Sequence, residues 1–304
     1  MKNILILGGS YFVGRVFTIM AASAGHALTL INRGRFSMER YGTKEELHFD
    51  RHDVQALRSM SAQHYDAVVD FCGYEPGDVC TVVENLPGTI GQYIFLSTGD
   101  VYDRTIHTPK GESTPLLKKQ SSCAGGEYMY KKALLDQETR EICAKKGIAY
   151  TVLRPAFIYG PYNYAPRESY YVKKILDREP IPVPRDADSE FQFVYVRDVA
   201  VAILECMERE AARNEVFNLS APEIMNYERF MQTLKAVSDR PYDTYPISVQ
   251  SVISQGIPLP FPMRKEESEL FCGDKAAQAL GLSYTPFMQG LTRAYQGFCT
   301  VFGG

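Results

Sequence analysis

The first fourteen residues, Met1–Gly14, constrain the fold of this 304-residue chain more than any other stretch. Ile4-Leu5-Ile6-Leu7 reads as a buried strand and Gly8-Gly9-Ser10 as a tight turn. Apolar residues then recur at Val13, Val16, Phe17, Met20, Ala21 and Ala24, the spacing of an amphipathic helix. A buried strand that runs through glycines into a helix N-terminus builds an anion site. Its backbone N–H groups point outward, the helix dipole is positive there, and missing side chains let a diphosphate approach. Gly8, Ser10, Tyr11, Phe12, Val13 and Gly14 are the candidate cradle. Only Gly8 and Gly14 fall in register with the usual three glycines, and Tyr11 stands at the middle position. An ordinary β-turn-α joint leaves the same trace, so this stretch alone specifies a topology and not a ligand.

The rest of the chain continues the alternation. Further strands are expected at Ala27–Ile31, Leu47–Phe49, Asp66–Phe71, Gln92–Ser97 and Tyr150–Arg154, with helical stretches between them and a long helix from Gly126 to Lys146. The strands are apolar on both faces, which predicts a parallel sheet covered by helices on each side. After Pro155 the alternation stops. The expected organisation is α/β, a Rossmann-type doubly wound parallel sheet with a smaller C-terminal substrate lobe. Residues 1–159 form the dinucleotide-type domain, completed by 191–220, and residues 160–190 with 221–304 form the smaller lobe.

Composition excludes several alternatives. Net charge is −3 and the 33 basic residues form no long run, so nucleic acid and anionic membranes are not expected partners. No stretch approaches the roughly 20 apolar residues of a membrane span, and Arg15 interrupts the N-terminal run where a signal peptide would continue. The seven cysteines, Cys72, Cys80, Cys123, Cys143, Cys206, Cys272 and Cys299, contain no CxxC pair. Neither a disulfide framework nor a structural zinc site is expected, the five histidines lack metal-ligand spacing, and a cytoplasmic location follows.

The chemistry points to Thr98, Tyr128 and Lys132. Tyr128 and Lys132 lie four apart on the predicted long helix and so share a face. An ammonium beside a phenol stabilises the phenolate and is expected to lower its pKa. Such a tyrosine moves a hydroxyl proton while a hydride passes to or from a nicotinamide. Thr98, at the end of the fifth strand, is placed to hold the substrate oxygen. A Tyr-xxx-Lys pair also occurs on ordinary surface helices, and Tyr130 and Lys131 compete for the same roles.

Taken in order along the chain, these landmarks resemble an extended short-chain dehydrogenase/reductase of the NAD-dependent epimerase/dehydratase family. The resemblance rests on the glycine turn, Asp50/Asp53, Ser97-Thr98-Gly-Asp-Val-Tyr102, Tyr128/Lys132, Leu153-Arg-Pro-Ala-Phe-Ile-Tyr-Gly-Pro161, Phe193-Val-Tyr-Val-Arg-Asp-Val199 and the Asp274–Pro286 segment. It implies an NAD(P)-dependent enzyme acting on a hydroxyl or carbonyl of a small, sugar-like substrate. Tyr128 would be the acid/base and Thr98 the substrate-hydroxyl partner, and Lys132 would also bind the nicotinamide ribose. Asp53 would contact adenine, Phe71, Cys72 and Gly73 would line the cofactor groove, and Pro155 lies in the segment that closes over nicotinamide. A homodimer through the helices around Tyr128 is also implied.

Three departures shape the expectation. NAD-specific members carry an acid at the end of strand two. Asn32 followed by Arg33 here removes the repulsion of a 2′-phosphate and supplies a guanidinium for it, so NADP is favoured. Tyr11 resembles an atypical branch of these reductases that includes chloroplast stem-loop-binding proteins. Phe157 and Phe191 stand where sugar-nucleotide epimerases have the Asn and Arg that hold the substrate diphosphate, which argues against a nucleotide-linked sugar. Tyr159, Tyr162, Tyr164, Tyr170 and Tyr171 either line a substrate pocket or pack the lobe. Gly99 replaces the first of two acids that sugar dehydratases place after the threonine, leaving Asp100 alone. The competing readings are a cofactor-sensing protein without chemistry and, as a third, an RNA-binding protein.

Overall fold

A computed structural model describes residues 1–107, 109–123 and 125–302. Seven parallel strands, β1 Asn3–Leu7, β2 Ala27–Asn32, β3 Glu45–His48, β4 Ala67–Asp70, β5 Gln92–Leu96, β6 Ala149–Pro155 and β7 Glu215–Leu219, form the main sheet. Their spatial order is β7-β6-β5-β4-β1-β2-β3. The order reverses beside β1, which pairs with β2 on one side and β4 on the other. A crevice therefore opens at the carboxyl ends of β1 and β4, the place where open α/β sheets bind ligands.

The two faces of the sheet are the two halves of the core. Ile4, Ile6, Leu28, Leu30 and Val69 pack with Phe17 and Ala21 of the helix Phe12–Ser23 and with Val199 and Ile203 of the helix Val196–Glu208. Leu5, Leu7, Val68, Tyr93, Phe95 and Val152 face the other way, onto Val79 and Val82 and onto Leu135 and Ile142 of the helix Gly126–Lys146. Successive strand residues thus bury on opposite sides, which is why these strands read as continuous apolar runs.

The segment 191–220, expected to complete the sheet, does so through β7. Its first strand, Phe191–Tyr195, lies elsewhere, between Phe157–Tyr159 and Ile224–Met225 in a separate three-stranded sheet. The reason is aromatic: Phe191 stacks on Phe261 at 5.1 Å and Phe193 on Phe287 at 4.8 Å, so this strand serves the core of the later segments. Strand Ile181–Pro184 pairs with Thr244–Ile247, and the helices Glu168–Leu176, Tyr227–Val237 and Phe287–Phe302 pack around them. Among the described residues no helix is long and apolar enough to cross a membrane.

Candidate active site

The crevice is a cleft of about 830 Å³, within the roughly 300–1,000 Å³ range of ligand pockets. Its floor begins at the glycine turn. Gly8 has φ of +81°, and a Cβ there would lie 2.9 Å from the Cβ of Cys72; a Cβ on Gly14 would lie 2.4 Å from the Gly8 carbonyl oxygen. Both positions therefore exclude side chains, the first by conformation and contact, the second by close packing of helix on turn. The helix that follows has neither a side-chain cap nor an acid in its first turn, so its leading N–H groups remain free for an anion. Tyr11 sits at an ordinary extended backbone angle, φ −132°, and its ring swings onto Phe36 (5.5 Å) and Tyr164 (4.9 Å). These rings join the turn to the opposite lip of the cleft.

Gly8, Ser10, Tyr11, Phe12, Val13, Gly14, Asn32, Arg33, Phe71, Cys72, Thr98, Tyr128, Lys132 and Pro155 all line this one cleft. Two candidates do not. Asp53 caps the helix Val54–Ser59 by accepting from the Ala56 N–H at 3.0 Å, and Asp50 and His52 face the cleft in its place. Gly73 lies behind Cys72, where its carbonyl accepts from Lys132. Arg35, Phe36, Tyr74, Asn163 and Arg167 also line the cleft and are not among the sequence candidates. They come from loops, whose residues follow no period that would mark them.

At the reacting end, the Thr98 hydroxyl donates to Asp100 at 3.1 Å and accepts from the Asp100 N–H at 3.3 Å. Lys132 is buried. Its Nζ donates to the carbonyls of Gly73 (3.0 Å) and Leu96 (2.8 Å) and lies 4.4 Å from the Phe95 ring centre. Burial pushes its ammonium down to about 8, against the upward pull of Asp70 and Cys72. Lys131, the competing lysine, is spent on Glu127 and Glu75.

The expected lowering of the Tyr128 phenol is not present. Burial raises it, Asp100 and Tyr164 add to the rise, and Arg167 and a hydrogen bond with Thr98 oppose it. Lys132 is turned to its two carbonyls, so its charge is spent away from the phenol. Although 41% of the Tyr128 side chain is accessible, its neighbours Tyr74, Tyr164, Thr98 and Asp100 crowd the reacting edge.

Two buried ion pairs set this geometry. Arg154 grips Asp136 with Nε and Nη2, both at 2.8 Å, while its Nη1 donates to Tyr102 at 2.9 Å. This ties the end of β6 to the helix that carries Tyr128 and Lys132. Arg51 donates to Asp70 at 2.8 Å and to the Asp78 carbonyl at 2.8 Å, and Asp70 also accepts from Tyr93 and from the Cys72 N–H. That cluster locks the turn Phe71-Cys72-Gly73 against the glycine loop.

The tyrosine cluster divides. Tyr164 lines the cleft, Tyr162 lies against Arg15, and Tyr159 and Tyr171 are core residues. Under the lip, Glu168 is buried and holds the Gly160 N–H at 2.8 Å and the Asn163 amide at 3.1 Å. Burial raises its carboxyl to about 7. A raised acid stabilises the fold fully below its unfolded pKa near 4.5, and loses that contribution as pH rises through about 7. Glu168→Gln keeps an acceptor for Gly160 without the charge. It is expected to raise stability above pH 7 by up to about 3 kcal/mol, with the gain vanishing towards pH 4.5. Thermal denaturation of both proteins at pH 5 and pH 8 checks this; no gain at pH 8 contradicts it.

Fold and cleft together define an α/β protein of the Rossmann type, with its cleft at the switch point of the parallel sheet. A family model described as NAD dependent epimerase/dehydratase family matches residues 78–220. The chain is 31% identical over 241 residues to the chloroplast stem-loop binding protein of 41 kDa b of Arabidopsis thaliana, covering 75% of this chain and 61% of that protein. It is 25% identical over 226 residues to the UDP-D-apiose/UDP-D-xylose synthase of Oryza sativa subsp. japonica, covering 65% and 54%. The chain thus spans less than two thirds of the length of these curated relatives. Among solved structures, the UDP-glucose 4-epimerase of Thermotoga maritima, with UDP-glucose, superposes with a TM-score of 0.77 at 19% identity, over 98% of this chain and 99% of that one. The UDP-glucuronic acid 4-epimerase of Bacillus cereus, in complex with UDP-glucuronic acid and NAD, gives 0.76 at 15%, over 98% and 99%. At such identities the likeness is one of fold.

Proposed function

We propose that the protein is an NAD(P)-dependent oxidoreductase or epimerase acting on a hydroxyl or carbonyl of a small, sugar-like substrate. One observation carries the reading: Thr98, Tyr128 and Lys132 converge on the same cleft as the glycine turn. The turn, its free helix N-terminus and the side-chain-free approach at Gly8 and Gly14 fit a dinucleotide diphosphate. When bound, the nicotinamide supplies or accepts the hydride. Tyr128 then takes or returns the hydroxyl proton at its phenol oxygen, Thr98 orients the substrate oxygen, and Lys132 holds the ribose side of the cofactor. Residues 160–190 and 221–304 make up the substrate lobe in this reading.

Geometry also supports the departures from nucleotide-linked sugars and from dehydration. Phe157 lies 6.1 Å from Phe191 and from Phe193 and 6.4 Å from Phe261, so rings occupy the region where relatives place diphosphate donors. A Cβ on Gly99 would meet the Phe271 ring at 2.6 Å, which leaves no room for a second acid.

NADP is the favoured dinucleotide. The Asn32 side chain is engaged by Glu46 (2.7 Å) and the Gly34 N–H (2.6 Å), while Arg33 and Arg35 both reach the cleft and are exposed. NADPH is expected to bind about tenfold more tightly than NADH, the scale of one charge-assisted contact, and the double variant Arg33→Ala/Arg35→Ala to lose that margin. Fluorescence titration of both reduced dinucleotides decides it, and tighter NADH binding overturns it. Mass spectrometry of the ligand that co-purifies tests the wider reading. Because one relative is named for stem-loop binding, a protein that retains RNA and no dinucleotide would reverse the proposal.

A further inference from the structure

Arg167 lines the cleft with Thr98, Asp100 and Tyr128, and among the described residues no carboxylate pairs with it. Other cations near this end are committed. Lys132 holds two carbonyls, Arg154 holds Asp136, and Arg104 pairs with Glu269 at 3.1 Å. Arg167 donates from Nη1 to the Ile158 carbonyl at 3.0 Å, and its guanidinium carbon lies 5.1 Å from the centre of the Phe157 ring. The ring and the carbonyl hold the guanidinium in place, and its remaining N–H groups have no protein acceptor among the described residues. The backbone beneath is equally fixed, because Glu168 holds both Gly160 and Asn163. Phe157, which replaces the expected diphosphate donor, has become the platform for a cation of a different reach.

Resting on the function proposed above, we infer that Arg167 anchors the substrate, and that the substrate carries a carboxylate or a phosphate monoester besides its reacting hydroxyl. A planar fork of N–H donors matches two oxygens of either group. Asp100, the acid sharing this end, accepts from Thr98, so the anion's place is on the Arg167 side of Tyr128.

The test uses the full chain saturated with NADPH, so that the dinucleotide covers the glycine turn. Inorganic phosphate and acetate are titrated separately at constant ionic strength, and thermal stability is followed. At least one anion is expected to stabilise the loaded protein saturably. Its apparent affinity should fall at least tenfold in Arg167→Leu and recover in part in Arg167→Lys, which keeps the charge but not the fork. A response to phosphate names a phosphate ester, and a response to acetate names a carboxylate. No saturable response to either anion, or an equal response in Arg167→Leu, overturns the inference. NADPH uptake, read by its own fluorescence, separates the two proposals: uptake without an anion response removes only this one, and failure of uptake removes the function on which it rests.

Discussion

Tyr128→Phe is expected to lower kcat by about 10²–10⁴-fold, the usual contribution of a positioned acid/base, while dinucleotide affinity changes by less than about twofold. The change deletes one oxygen and leaves the ring, which stands 6.5 Å from that of Tyr74. Neither the glycine turn nor the carbonyl contacts of Lys132 involve that oxygen, so the cofactor end is untouched. The size of the loss also tests the electrostatics. Burial and Asp100 raise the phenol, which favours its protonated form at neutral pH. Turnover in the direction that needs the phenolate is therefore expected to rise with pH across the neutral range, and that rise should disappear in Tyr128→Phe. Steady-state rates across pH with an identified substrate, beside NADPH titrations of both proteins, check the two halves. Wild-type turnover in the variant would sink the assigned mechanism.

Much of this site was readable from local pattern. The strands β1, β4 and β5 are apolar on both faces, so a continuous run marks each of them, and the glycine turn follows directly. Tyr128 and Lys132 announce themselves because four residues is one helical turn. What escaped depends on contacts between segments distant in sequence. Asp53 is the acid that the resemblance assigns to adenine, yet the helix start at Val54 turns it into a cap and leaves Asp50 facing the cleft. Lys132 was expected to act on Tyr128, yet the carbonyls of Gly73 and Leu96, 59 and 36 residues away, claim its protons. Arg35 and Arg167 sit on loops with no period. The sequence marks Phe191 as a ring in place of a diphosphate donor, but its departure from the main sheet rests on Phe261, a partner seventy residues later.

Arg154→Met is expected to destabilise the fold by about 3–5 kcal/mol, the cost of leaving a buried charge without its partner. Arg154 is 1% exposed and Asp136 fully buried, and the carboxylate would keep only the Ser97 hydroxyl at 3.3 Å and the Arg140 guanidinium at 3.4 Å. Tyr102 would lose a donor as well. Such a pair is weak evidence for stability in itself, because well-packed apolar residues often replace both partners at little cost. Arg154→Met/Asp136→Leu should accordingly recover most of the loss, and urea denaturation of the single and double variants reads the difference. A single variant within about 1 kcal/mol of wild type would show that water already reaches the pair. The pair joins the end of β6 to the middle of the helix Gly126–Lys146, one turn beyond Lys132. Its consequence for the site is therefore positional: the double variant should regain stability before it regains turnover, since apolar packing restores the contact without restoring the register that the two-pronged grip imposes on Tyr128 and Lys132.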